Sequence, residues 1–419
     1  LTTSFDVAVA NPPYTDSSDF GPELKEFAEA NYKKPMKFNI NLYACFIKRC
    51  CELTDELGKV GMIHPHTFMF IKTFEDVRKF MIENTHINTM VDFGLDRVNL
   101  FGPGILLDAT FYTLDKKDVE NTPGVYFNIT ANLQEKYKKG TLENAYADYC
   151  NGQPNDRVYL LPQDKLKAIK SWPFIYWISD EFREKFGSAS LEEITFVLQG
   201  LVTGDNIRFY RYWWEVNDIS KWFDCPKGGP YNKWYGNFWV KVNWEDNGYE
   251  IKNFFDDKGK LRSRPQSEKF YFKEGVTYCS SGSRGCSFRY LPANQIISGA
   301  GPGIFPSEKY SNINYYLGFL NTILSTYLLE SLNPTVNVTQ GDIKRVPFAR
   351  PNEKNEQMVD VLVQNNIDIK KHLCTYSVVE QNYSHSPITP VSSPESELTR
   401  YYNYENALLT QILLNEAIV

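Results

Sequence analysis

The stretch FDVAVANPPYTD, Phe5–Asp16, decides how this chain is read. Residues 5–10 alternate only weakly and are apolar on both faces, the pattern of a central parallel strand. The strand runs directly into Asn11-Pro12-Pro13-Tyr14. Pro12 keeps Asn11 out of the helical region, and the proline pair stiffens the turn. The result is a rigid loop that displays one carboxamide, backbone carbonyls with no competing N–H groups, and one aromatic face. In an open α/β sheet the ligand crevice lies beyond the carboxyl ends of the strands, and Asn11 stands at such an end.

Working outward, Asn31 to Thr54 reads as a helix around LYACFIKRCCELT, and GKVGMIHP (58–65) as a second buried strand after a Gly turn. KTFEDVRKFMIEN (72–84) is amphipathic, with Phe74, Val77, Phe80 and Met81 on one face. INTMVDFG (87–94) and LLDATFYTLDK (106–116) read as third and fourth strands with no helix between them, which predicts an antiparallel hairpin at the sheet edge. Strand, helix, strand, helix, strand is the doubly wound α/β pattern.

From about Pro162 helices become scarce, and GGPYNKWYGNFWVKVNWEDNGYEIK (228–252) predicts a β-rich module with tight turns. All eight Trp fall within Trp172–Trp244, which sets this region apart. Trp213, Trp214, Trp234 and Trp244 are expected to form its core. NINYYLGFLNTILSTYLLESLN (312–333) reads as one long amphipathic helix. A helix after Pro351, a Ser/Pro loop (383–396) and a last helix (397–417) complete the chain.

Composition narrows the functional classes. A 419-residue chain with 42% hydrophobic and 23% charged residues has room for two or three folded domains. No apolar run is long enough to span a membrane, so no membrane partner is expected. Eight Cys without a CxxC pair, and five scattered His, point to reduced cytosolic thiols and away from a zinc site. A net charge of −6 disfavours nucleic acid as a partner of the whole surface. The total hides a split, however: Arg157–Arg350 holds 25 basic and 20 acidic residues, leaving −11 elsewhere. The middle third can present a basic face.

The chemistry that fits Asn11–Tyr14 is that of an aromatic amine. The N6 amine of adenine is a poor nucleophile because its lone pair is delocalised into the ring. The Asn11 side-chain oxygen and the Pro12 carbonyl can each accept one N6–H, which pushes the nitrogen toward tetrahedral geometry. Tyr14 offers a stacking face for a base rotated out of a duplex. On these residues the chain resembles the amino-methyltransferases of DNA, in their N6-adenine branch. NLYACFIKRCCEL resembles the helix after the motif, GKVGMIHPHTFMF the next strand, and VNLFGPGILLDATFYTL the closing hairpin. In that family an aromatic residue before the hairpin meets the flipped base, and Phe101 is the matching position.

GLVTGDNIRFYRYWWEV, KGGPYNKWYGN, VNWEDNG and LGFLNT…LNPTVNVTQGDIKRVPF resemble the target-recognition region of the BREX phage-defence methyltransferases (PglX) and the related type IIG restriction-methylation enzymes. The resemblance implies the C-terminal half of a Rossmann-like methyltransferase sheet (1–165), a β-rich target-recognition domain (166–350) and a helical tail (351–419). It also implies duplex DNA as partner, together with further defence subunits, and S-adenosylmethionine as methyl donor beside Asn11. Phosphates call for Lys and Arg, and base edges for Arg, Asn and Gln. Arg208, Arg211, Lys233, Asn237, Arg284 and Arg289, set among aromatics in turns, are the candidate DNA contacts.

The family's Gly-rich cofactor turn precedes its catalytic motif, and here the motif starts at residue 11. IISGAGPGIF (296–305) and FGPG (101–104) lack the strand–helix context of such a loop and read as turns. The cofactor loop and first strands are expected before Leu1, in an N-terminal part of the same polypeptide. Two further readings stay open at this point: a DNA-recognition or assembly protein with a vestigial methyltransferase half, and the methylase part of a type IIG enzyme.

Overall fold

The computed structural model describes residues 4–96, 107–116, 122–130, 135–282, 285–335, 337–388 and 394–419. The chain divides into two units, Leu1–Ser188 and Ala189–Val419.

The first unit is built on a six-stranded mixed sheet. Its strands are β1 (Phe5–Ala10), β2 (Thr54–Pro65), β3 (His86–Asp96), β4 (Leu107–Asp115), β5 (Gly124–Asn128) and β6 (Val158–Leu161), in the order β1-β2-β4-β3-β5-β6. β1 runs parallel to β2, and β3 to β5, while β4 is antiparallel to both β2 and β3. The helices are α1 (Pro22–Tyr32), α2 (Leu42–Leu53), α3 (Glu75–Asn84) and α4 (Glu135–Cys150). Tyr43, Ala44, Ile47, Cys50 and Cys51 form the helical stripe of α2, and they join Val77 and Met81 of α3 over one face of the sheet. Ala145 of α4 packs with Val91, Phe93, Val125 and Phe127 on the other face. Alternating residues of β3, Met90 and Val91, thus enter different cores. Each fully buried large aliphatic or aromatic side chain contributes about 1.5–3 kcal/mol.

Among the described residues β1 pairs with β2, and its Phe5, Val7 and Val9 are 45%, 57% and 79% exposed. Two sequence expectations change here. The β3–β4 hairpin is antiparallel as expected but lies inside the sheet, because β5 adds to β3 and β6 to β5. The helix expected over 31–54 is two elements, since Pro35 interrupts the chain and Asn41 restarts it. The Asn41 Oδ1 caps α2 by accepting the Tyr43 N–H at 3.2 Å.

A buried guanidinium ties the unit together. Arg78 of α3 donates to the carbonyls of Phe68 (2.5 Å) and Ile71 (2.8 Å), and across to those of Ser171 (2.7 Å) and Trp172 (3.0 Å). Ser171 and Trp172 adopt left-handed backbone, φ 70° and 49°, which turns their carbonyls toward it.

The second unit contains two antiparallel sheets. β8 (Tyr210–Tyr212), β10 (Val240–Asn243) and β9 (Trp222–Asp224) form one; β12 (Phe288–Leu291), β11 (Gly275–Tyr278), β13 (Gly303–Pro306) and β7 (Thr195–Leu198) form the other. Trp234 and Trp244 are core residues as expected, whereas Trp213 is half-buried and Trp214 exposed. The helix expected over 312–333 is broken into α5 (Ile313–Leu320) and α6 (Ile323–Leu332). Asn321 leaves the helical path to pair its carboxamide with both backbone groups of Phe288, at 3.1 and 3.0 Å, and Thr322 caps α6 through the Ser325 N–H. α7 (Glu353–Cys374) and α8 (Pro394–Ile418) follow, joined by bonds from Asn415 to Asn365 and Asn366.

Candidate active site

β1 leaves the sheet just after Ala10, which pairs with Met62 of β2. Asn11 is exposed, Pro12 buried, Pro13 exposed and Tyr14 half-buried against the α2–α3 core. The Tyr14 hydroxyl donates to Asn11 Oδ1 at 2.6 Å. Burial holds the Tyr14 phenol above its ordinary pKa, so it remains a donor at neutral pH. A carboxamide oxygen accepts two hydrogen bonds, so one lone pair of Asn11 Oδ1 is fixed by Tyr14 and the other is available for a second N–H.

The loop that follows is fastened at both ends. Leu42 N–H donates to Thr15 O at 2.9 Å and Ser17 N–H to Ile40 O at 3.0 Å, while Asp16 accepts from Ser18 and caps a short turn. The start of α2 therefore fixes where the motif stands.

Beside it, the ends of three strands carry a group that sequence reasoning missed. Pro65 of β2 pairs with Ala109 of β4, and Thr110 of β4 with Asp92 of β3, so His66, Asp108 and Asp92 meet at the carboxyl edge of β2 and β3. His66 Nδ1 lies 2.8 Å from Asp92 Oδ1, and Nε2 lies 3.5 Å from Asp108 Oδ2. Burial alone would lower the His66 pKa, but the Asp92 and Asp108 carboxylates outweigh it and push it up to about 10. His66 is thus an imidazolium. Asp92 also accepts the Gly94 N–H at 2.9 Å. Gly94 has φ +60°, and a Cβ there would lie 2.9 Å from that of Thr130, so only glycine suits this turn. His64, two residues earlier, is the opposite case. It stacks on Tyr43 and bonds the Tyr112 hydroxyl at 2.8 Å, and burial drives its pKa down to about 4.

Phe101 and Arg284 lie outside the described residues. The remaining candidate DNA contacts all fall in the second unit. Arg208 is engaged by Glu250 and stacked over Phe254, and Lys233 donates to Glu416 (3.1 Å) and to the Asn321 carbonyl. Asn237 is buried, with left-handed φ of 63° and its amide on Pro230 O. Arg289 is buried against Cys279. Arg211 holds the carbonyls of Ile207 and Tyr210 with one nitrogen.

A mixed α/β sheet carries Asn-Pro-Pro-Tyr at a strand's carboxyl end, and its fold is similar to that of solved restriction-modification enzymes. Among solved structures the fold matches the Type IIL restriction-modification enzyme MmeI, determined in complex with DNA (TM-score 0.56, 11% identity, covering 99% of this chain and 54% of that one). It also matches a nuclease-deletion mutant of the Type ISP enzyme LlaGI (TM-score 0.55, 12% identity, 91% and 36%). More particularly, residues 1–101 match the Eco57I restriction-modification methylase family. Over most of its length the chain is similar to the adenine-specific methyltransferase PglX of Lacticaseibacillus casei (strain Zhang), with 29% identity over 379 residues and 86% of this chain. Similarity to BrxX of Escherichia coli O9:H4 (strain HS) is 28% over 386 residues and 88% of the chain. The chain spans 30% of the length of each of these two relatives.

Proposed function

We propose that this chain is the catalytic and target-recognition part of a site-specific DNA adenine-N6 methyltransferase of a BREX-type phage-defence system. The observation that carries the proposal is the Asn11 carboxamide, presented at the carboxyl end of β1 with one lone pair fixed by Tyr14 and one open. Its partners are duplex DNA and the other subunits of the defence system.

In this reading a flipped adenine stacks on Tyr14 and Phe101. Its N6 donates one hydrogen to Asn11 Oδ1 and the other to the Pro12 carbonyl. Both acceptors draw the N6 lone pair out of conjugation, and both stabilise the positive charge that grows on nitrogen as the new N–C bond forms. The Tyr14 hydroxyl keeps the carboxamide from rotating its NH₂ toward the base. S-adenosylmethionine, when bound, supplies the electrophilic methyl group. Among the described residues no strand runs through a Gly-rich turn into a helix to cradle it. The turn at 298–302 continues into strand β13. Asn11 is therefore the one residue assigned to the donor's neighbourhood.

Similarity to the Type II restriction enzyme and methyltransferase RM.Eco57I of E. coli is 31% but extends over only 97 residues, 22% of this chain. That to PglX runs through the second unit as well, which favours the BREX-type assignment over a type IIG one. The test is transfer of a labelled methyl group from S-adenosylmethionine to duplex DNA by the intact polypeptide, followed by nucleoside analysis. Label in N6-methyladenine is expected. Label confined to another base, or none at all with a correctly folded enzyme, overturns the proposal.

A further inference from the structure

Charge pairing sorts the turns of the second unit. Arg208 and Lys233 are neutralised by Glu250 and Glu416. Two other cations have no carboxylate partner among the described residues: Arg211, and Lys227 in CPKGGP. Both line one cavity of about 470 Å³. Lys227 Nζ sits 4.0 Å above the Tyr210 ring and donates to Asn206 Oδ1 at 3.2 Å. Burial holds its pKa below the ordinary lysine value, the mark of an ammonium that has lost water without gaining a counter-ion. The Arg211 guanidinium is aimed by its two bonds to the Ile207 and Tyr210 carbonyls, each 2.7 Å. One carboxylate, Glu215, also lines the cavity, and it is committed to the Tyr212 N–H at 2.7 Å. Beside the cavity Tyr212 and Trp214 stack at 4.7 Å and 6°, each about half exposed.

Two converging cations, one partly desolvated and one held in a fixed orientation, suit a compact oxyanion. A flat, exposed aromatic pair next to them suits an apolar ring. A phosphodiester offers both: a phosphate and the adjoining sugar. We propose that Lys227 and Arg211 hold a backbone phosphate of duplex DNA in this cavity, with the Tyr212–Trp214 pair packed against the neighbouring deoxyribose. The proposal rests on the DNA-methylation reading above and assigns it a positioning contact rather than a base-reading one.

The experiment measures binding of the intact polypeptide to a fluorescent random-sequence duplex across a salt series. The double variant Lys227→Gln/Arg211→Gln is expected to flatten the log–log salt dependence by about one unit and to weaken binding roughly tenfold at low salt. Trp214→Ala weakens it several-fold without changing the slope. Lys221→Gln, which removes a lysine already paired with Glu245, leaves both unchanged. Circular dichroism confirms that each variant is folded. If wild type binds no duplex, the DNA reading itself fails. If wild type binds and the double variant keeps its affinity and slope, or Lys221→Gln flattens the slope equally, the cavity is not a phosphate site while the DNA reading stands.

Discussion

His66→Ala exposes the electrostatic economy of the first unit. In the folded chain the two carboxylates raise the His66 pKa to about 10, against about 6.5 in an unfolded chain. A folded pKa above the unfolded one stabilises the fold. That stability is complete below pH 6.5, declines through the window from 6.5 to 10, and is gone above it. At about 1.4 kcal/mol per unit, the full difference is on the order of 4–5 kcal/mol. Removing the ring leaves Asp92, which is 1% exposed, with the Gly94 N–H as the side-chain hydrogen bond that survives among those described above. An uncompensated buried charge costs about 3–5 kcal/mol. Hydrogen exchange of peptides from β2, β3 and β4, corrected for intrinsic rates, reads the opening free energy of this sheet separately from the second unit. Wild type should lose protection steadily from pH 6.5 to 10. His66→Ala should be less protected at pH 6.5 and lack that decline, and His66→Ala/Asp92→Ala should recover part of the loss. The reasoning is refuted if wild type and His66→Ala show the same pH dependence across the window.

Asn11→Ala should leave the exposed loop folded and cut methyl transfer on the order of 100-fold, since one preorganised hydrogen-bond partner is worth about 3 kcal/mol; wild-type turnover in this variant would remove Asn11 from the chemistry. Tyr14→Phe should keep base stacking but free the Asn11 carboxamide, lowering turnover several-fold with DNA affinity unchanged. Tyr14→Ala and Phe101→Ala should each weaken stacking by roughly 1–3 kcal/mol, read as reduced fluorescence of an adenine analogue at the target position. Asp342 is 1% exposed and accepts from Asn333, Thr339 and Arg345; Asp342→Ala should cost the second unit about 3–5 kcal/mol in denaturant unfolding.

What the sequence disclosed was local. Asn11–Tyr14 was legible because four consecutive residues carry the geometry, and the strand–helix alternation was legible because each period repeats within one element. The inner place of the β3–β4 hairpin was not, because a strand's own residues do not say how many neighbours the sheet has. The breaks near Pro35 and Asn321 show the limit in two forms. A proline inside the pattern carried a local warning, whereas Asn321 leaves its helix to meet Phe288, 33 residues earlier. The same limit hid the His66 group, which needs three strands in register. Among the basic turns, composition could not distinguish free cations from paired ones. The partners of Arg208 and Lys233 lie 42 and 183 residues away.

Arg78 bears on how this chain can be divided for study. The composition changes near Pro162, which invites a fragment that stops there. Such a fragment would discard Ser171 and Trp172, and with their carbonyls several of the hydrogen-bond acceptors of a guanidinium that is 0% exposed. It would also strip Phe174 and Tyr176 from the core beneath α3. A buried cation stripped of acceptors costs several kcal/mol, a large share of the 5–15 kcal/mol that separates folded from unfolded domains. A boundary between Ser188 and Ala189 keeps the guanidinium and its acceptors in one piece, and a first-unit fragment ending there should express as folded protein where the shorter one aggregates.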